Sequence, residues 1–249
     1  MINTSNDELS FYIETARPLT NEIILYVLDE ESNIIDKVTT GDDYPFESRM
    51  LENRKFLFDI HFSPNKKYRL IFKVKSDGEI VRLPIHFWTI DSFSQFAAKE
   101  NFFLGFYYGL FFLVNILFSL FGLSLGQRIY LYFVSYVIAL ALFQLSLDGF
   151  LFQYLWRNSS WLANHAILIF TALSMIAMML YVLNFIGFNE SQKKYKRGYF
   201  LLLGLLIISL LLSLTEGSLY ALCFPLLNYL SFICIIYILI GLIIKSKRE

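Results

Sequence analysis

The chain has 249 residues, of which 56% are hydrophobic, and equal numbers of basic and acidic side chains, 21 of each. A mean hydropathy of +0.53 is far above that of a soluble domain, and no basic patch with interleaved aromatics points to nucleic acid. The zero net charge hides an uneven distribution: residues 1–100 carry 12 Lys/Arg and 17 Asp/Glu, which leaves 9 and 4 for residues 101–249.

The opening MINTSNDELS shows neither the basic region nor the apolar run of a signal peptide. Six stretches are then strand candidates: KFLFDIHF, YRLIFKVK and VRLPIHFW alternate with a two-residue period, LSFYIETA and EIILYVLD are two more, the second apolar on both faces, and NIIDKVTT is a weaker one. In KFLFDIHF, Phe56, Phe58, Ile60 and Phe62 share one face, while Leu57, Asp59 and His61 take the other. Turn residues separate the runs, among them Gly41-Asp42-Asp43, Ser63-Pro64-Asn65 and Asp77-Gly78. Short strands at this spacing predict an antiparallel β-sandwich over residues 1–95. Pro84 places the last strand at a sheet edge. The acidic residues fall in turns or on polar strand faces, and His61 and His86 lie on solvated faces of different strands. No third ligand, nucleophile elbow or phosphate loop accompanies them. The expectation is a binding or structural module with no catalytic residues, cofactor or metal.

Residues 96–249 contain five apolar runs near 101–123, 129–147, 161–187, 198–214 and 217–244. A hydrocarbon core of ~30 Å needs ~20 helical residues, so five transmembrane helices are predicted. Arg128, Lys193, Lys194, Lys196, Arg197, Lys245, Lys247 and Arg248 fall on one side of these spans and Arg157 on the other. The positive-inside rule then puts the C-terminus in the cytoplasm and the β-domain outside. Trp156 and Trp161 are expected in an interfacial aromatic belt. Asn115, Gln144, Asn164, His165, Asn184 and Asn228 are expected to face neighbouring helices, and Gly105 and Gly109 to form a close-packing step. Pro225 should kink the last helix. Cys223 and Cys234 are eleven residues apart, about 16 Å along a helix at ~1.5 Å per residue, too far to pair and suited to packing. These features describe a packed bundle.

GFYYGLFFLVNILFSLF followed by RIYLYFVSYVIALALFQLSLDGFLFQYLW resembles the bacterial seven-transmembrane receptors with diverse intracellular signalling modules. The resemblance rests on Tyr107, Tyr108, Gly109 and Asn115 in the first helix and Tyr130, Leu131 and Tyr132 at the start of the second. It extends through Gln144, Leu145, Ser146, Asp148, Gly149, Leu155 and Trp156. The soluble part resembles that family's second type of extracellular domain, a jelly roll, through TGDDYPFESR with Gly41, Asp42, Pro45, Phe46 and Arg49. These residues are expected to be structural: Gly41 to supply a positive φ, Arg49 to pair with Asp42 or Asp43.

The resemblance implies a sensor in the bacterial inner membrane for a small-molecule or carbohydrate ligand of unknown identity. It also implies an intracellular signalling module or a homodimer as partner. Two departures lead to the expectation of an internal receptor piece: the sandwich starts late, and five helices stand where the family has seven before its output module. The competing reading is a multi-pass transport or assembly component with an external β-domain. Intramembrane charges or discontinuous helices would favour that reading.

Overall fold

The computed structural model describes residues 1–76, 83–188 and 192–246. Asp77-Gly78, Val81, Arg82, Lys247 and Arg248, used in the sequence reading, lie outside the described residues. The chain divides into two compact units, residues 1–105 with 145–164, and residues 106–144 with 165–249.

The first unit is built on six strands, β1 (Leu9–Thr15), β2 (Glu22–Leu28), β3 (Ile34–Thr40), β4 (Phe56–Phe62), β5 (Arg69–Lys75) and β6 (Ile85–Trp88). They form two antiparallel three-stranded sheets, β4-β1-β6 and β3-β2-β5. The alternation places Ile13, Phe56, Phe58, Ile60 and Phe62 of one sheet against Ile23, Leu25 and Val27 of the other in a common core. The Phe58 and Phe72 rings meet there at 5.8 Å. β6, directly after Pro84, lies at the edge beside β1, as a residue lacking an N–H donor requires.

The outer face of the first sheet is not the polar surface that alternation predicts. Leu57 and Glu14 are only 3% and 1% exposed. The cause is α1 (Ile90–Leu125), which begins immediately after β6 and folds over that face. Phe93 packs edge-on against Tyr12 at 5.6 Å, and Phe96 stacks on Trp88 at 4.7 Å. Thr89 ends the strand and caps the helix, its Oγ1 accepting the Ser92 N–H at 3.3 Å. α1 therefore starts about a turn and a half before the expected domain boundary at 95/96 and three turns before the expected span at 101. At ~1.5 Å per residue its 36 residues are about 54 Å long, well beyond the ~30 Å of a bilayer core. After α2 (Arg128–Leu147), residues 148–159, expected to be a loop, contain a short helix, α3 (Phe150–Tyr154).

The second unit holds the rest of α1 and of α2 with α4 (Ser160–Ile186), α5 (Lys193–Leu212) and α6 (Ser218–Ser246). All five long helices are long and apolar enough to cross a membrane. Contacts within this unit show an up-and-down order. Phe118 of α1 meets Tyr130 and Phe133 of α2, and Phe133 meets Tyr181 near the end of α4. Lys245 near the end of α6 donates to the Phe185 carbonyl at 3.0 Å. At the opposite end, His165 pairs with the Thr215 carbonyl at 3.0 Å. The basic residues thus gather at one end of the bundle.

Several expectations for the helices are corrected. Lys193–Arg197, read as loop, are helical. Tyr195 in that turn and Tyr199 just beyond it pack on Tyr237 of α6, a contact that opposes the ~0.3–1 kcal/mol by which lysines disfavour a helix N-terminus. A Cβ added at Gly105 or Gly109 would meet nothing within 4 Å among the described residues, so the expected close-packing step is not made with them. Asn184, expected to face a neighbouring helix, is exposed and donates to the Leu180 carbonyl four residues back in its own helix at 2.8 Å; Asn115 donates likewise to Phe111 at 2.8 Å while its Oδ1 is buried. Cys223 and Cys234 are buried and unpaired.

Candidate functional site

The TGDDYPFESR stretch turns the chain out of β3. Gly41 has φ +151°, and a Cβ there would sit 2.0 Å from the Asn21 carbonyl oxygen, so close backbone approach requires glycine. The following N–H groups, of Asp42 and Asp43, donate to the carbonyls of Thr20 and Asn21. Pro45 opens a 3-10 turn, Phe46–Ser48, that sends the Phe46 side chain inward to 1% exposure.

Arg49 closes the turn. Its guanidinium lies 3.3 Å from Asp42 Oδ1 and donates to the carbonyls of Asn53 at 2.9 Å, Arg54 at 2.5 Å and Pro18 at 3.2 Å. It also lies over the Phe56 ring at 4.1 Å and the Phe46 ring at 4.8 Å. Asp42 Oδ2 accepts the Thr20 N–H at 2.7 Å. Burial pushes the Asp42 carboxyl up to about 7, against the pull of Arg49 and of that N–H. Burial likewise lowers Arg49 to about 10, although Asp42 opposes it. A buried pair of this kind is costly to break, since removing one partner leaves the other charge unpaired.

The segment after the second helix completes this site. Gly149 has φ +78°, and a Cβ would meet Pro18 Cβ at 2.9 Å and the Arg54 carbonyl oxygen at 3.0 Å. The preceding Asp148 carbonyl accepts Arg54 Nη1–H at 3.1 Å. Phe152 of α3, 2% exposed, meets Phe46 edge-on at 5.5 Å, and Arg49 lies over its ring at 5.3 Å. Trp156 packs against the same Phe46–Phe152–Ala163 cluster. The Phe46 N–H donates to the Arg157 carbonyl at 2.8 Å, and the Arg157 side chain reaches Glu52 at 2.5 Å and Glu47 at 3.5 Å. Asn164 donates to Asp43 at 2.8 Å.

Beside this junction lies a second cluster. Arg54 pairs with Glu100 at 2.6 Å, and Lys55 bridges Glu100 at 2.9 Å and Glu14 at 2.8 Å. Glu14 also accepts the Trp88 Nε1–H at 2.6 Å. Four side chains from the loop before β4, from β1 and from α1 form one network whose formal charges cancel.

A family model described as 7TM diverse intracellular signalling matches residues 100–249, and one described as 7TMR-DISM extracellular 2 matches residues 1–89. The chain belongs to the 7TMR-DISM family. No curated protein and no solved structure matches it. The family is one of membrane receptors and sensors, with an extracellular part and a membrane-spanning part. The two 7TMR-DISM motifs quoted from the sequence, one from each matched region, meet inside a single unit here. Gly41, Asp42, Pro45 and Arg49 come together with Asp148, Gly149 and Trp156. The others belong to the second unit. Tyr107, Tyr108, Gly109 and Asn115 lie along α1, where Tyr107 contacts Tyr108 and Phe111. Tyr130 sits against Phe118 and Phe121 at the far end of α2, with Tyr132 half-buried nearby and Gln144 a turn before the α2 terminus.

The sequence reading missed Glu14, Arg54, Lys55, Glu100 and Phe152. Glu14 alternates like an ordinary exposed strand residue, and Arg54-Lys55 look like loop charges. Their pairing depends on α1 folding back, which no local pattern encodes.

Proposed function

We propose that this chain is the sensory and membrane-spanning part of a receptor, with its N-terminus outside and its C-terminus in the cytoplasm of a bacterial inner membrane. A small polar or carbohydrate-like ligand engages the first unit, and the bundle passes the change to an intracellular signalling module or to a second receptor copy. The chain itself catalyses nothing in this reading. The observation that carries it is that residues 145–164, which join two membrane helices, are folded into the sandwich unit through Arg49, Arg54, Phe46 and Phe152. A ligand that favours one arrangement of the sandwich therefore acts on the ends of α2 and α4, and α1 runs unbroken from the sandwich into the second unit. Such a ligand shifts the equilibrium by its difference in affinity for the two arrangements.

Two measurements test this. Reporter fusions at Gly149 and Lys194 should report opposite compartments, Gly149 outside. In liposomes the purified chain should accumulate no solute; solute uptake driven by a gradient would establish the transport reading in its place.

A further inference from the structure

We propose that the polar cavity bounded by the loop before β4, the first turns of α1 and α3 is a binding site for one small, uncharged, hydrogen-bonding molecule. The proposal rests on the receptor reading and gives its ligand a place. The cavity holds about 250 Å³, and its walls belong wholly to the first unit. That is room for about eight waters at ~30 Å³ each. It is less than the ~300–1,000 Å³ of a drug-sized pocket, so the guest has on the order of ten non-hydrogen atoms.

The lining decides the chemistry of that guest. On one side Arg54 and Lys55 are paired with Glu100 at 2.6 and 2.9 Å, with both basic side chains less than a tenth exposed. At another edge Glu52 is held by Arg157. A charged guest that drew Glu100 away from Arg54 and Lys55, or took its place, would break a pair whose basic partners are less than a tenth exposed, whereas an uncharged guest leaves that pair intact; the Glu52–Arg157 pair is exposed and lies at the rim. The remaining polar lining residues are Asn53, whose Oδ1 already accepts the Lys55 N–H at 2.9 Å, Asn101 and Gln153. Each offers donors and an acceptor, the complement of hydroxyl or amide groups. Phe150 and Tyr154, stacked at 6.3 Å with their planes 12° apart, give the cavity an aromatic flank for the guest's C–H surface. A guest seated there touches α1 through Asn101 and α3 through Gln153. α1 is itself a candidate span and α3 lies in the connection between α2 and α4, so this position suits a signal.

The test uses the full chain in lipid nanodiscs, with hydrogen exchange read at residues 93–101 and 150–155. The probes are myo-inositol and glycerol as uncharged hydroxyl compounds, alanine as a zwitterion and inorganic phosphate as an anion. An uncharged probe should slow exchange at both segments. Asn101→Ala combined with Gln153→Ala should weaken that protection by about tenfold, as loss of two hydrogen bonds predicts, with an unchanged melting temperature. Ala97→Phe, which fills the cavity, should abolish it. The proposal is overturned if alanine or phosphate protects more strongly than the uncharged probes, if the double substitution has no effect, or if neither uncharged probe protects. Protection confined to residues 8–62 would overturn this site while leaving the receptor reading standing.

Discussion

Replacing Arg49 by Met is the sharpest test of the junction. The substitution keeps the length of the side chain and its contact with Phe46, Phe56 and Phe152, but removes the charge and every donor. Asp42, with a side chain only 4% exposed, then loses its partner, and the carbonyls of Pro18, Asn53 and Arg54 lose theirs. Breaking a buried pair from one side costs about 3–5 kcal/mol. At 1.36 kcal/mol per decade, opening of this region should become roughly 150- to 5,000-fold more frequent. The assay is hydrogen exchange of the full chain in nanodiscs, read separately over residues 40–62 and 145–160. Both should lose protection together, because Arg49 contacts both. The effect should also depend on pH. Asp42 is pushed up to about 7, so the folded unit holds a proton that the unfolded chain, with a carboxyl near 3.9, gives up. This contribution to stability is fully present below about pH 4 and is lost as pH rises through about 7. Without Arg49 the neutral carboxyl is favoured further, so the part of the defect that comes from an unpaired Asp42 should be absent at pH 5 and full at pH 8, while the part from the three carbonyls is the same at both. Asp42→Asn in the Arg49→Met background should restore much of the loss at pH 8 by removing the unpaired charge. Loss of protection over 40–62 alone, or an equal defect at both pH values, would refute the reasoning.

Gly149→Ala forces a Cβ into the left-handed region, at about 1–2 kcal/mol, and against Pro18 and the Arg54 carbonyl; exchange over 145–155 should accelerate about tenfold or more. In the bundle, Tyr195 and Tyr237 each donate to the other's carbonyl, at 2.7 and 3.0 Å, and a Cβ on Gly198 would fall 1.9 Å from the Tyr237 hydroxyl. Gly198→Ala should therefore cost about 1–3 kcal/mol and lower the melting temperature in detergent, while Gly204→Ala, with nothing within 4 Å, should not. Trp88→Phe removes the donor to Glu14 and should destabilise the first unit by about 1.5–3 kcal/mol, seen as faster exchange over β1 and β6.

The sequence by itself determined the elements. All six strands and five spans were legible, because burial of one strand face imposes a period of two and a lipid core demands about twenty apolar residues. The edge position of β6 followed from Pro84, and the need for glycine at position 41 from the turn around it. The tertiary structure alone decided how far α1 reaches and what it covers. Leu57 and Glu14 are buried because the first turns of α1 lie on a sheet face that alternation marks as wet. It also decided that the stretch around Arg49 and the stretch around Gly149, a hundred residues apart, form one site. Each stretch alone shows only turn chemistry. Their meeting depends on a cation, a carboxylate and two aromatic rings that satisfy one another only once the chain has run through α1 and α2 and brought residues 145–164 back to the sandwich unit.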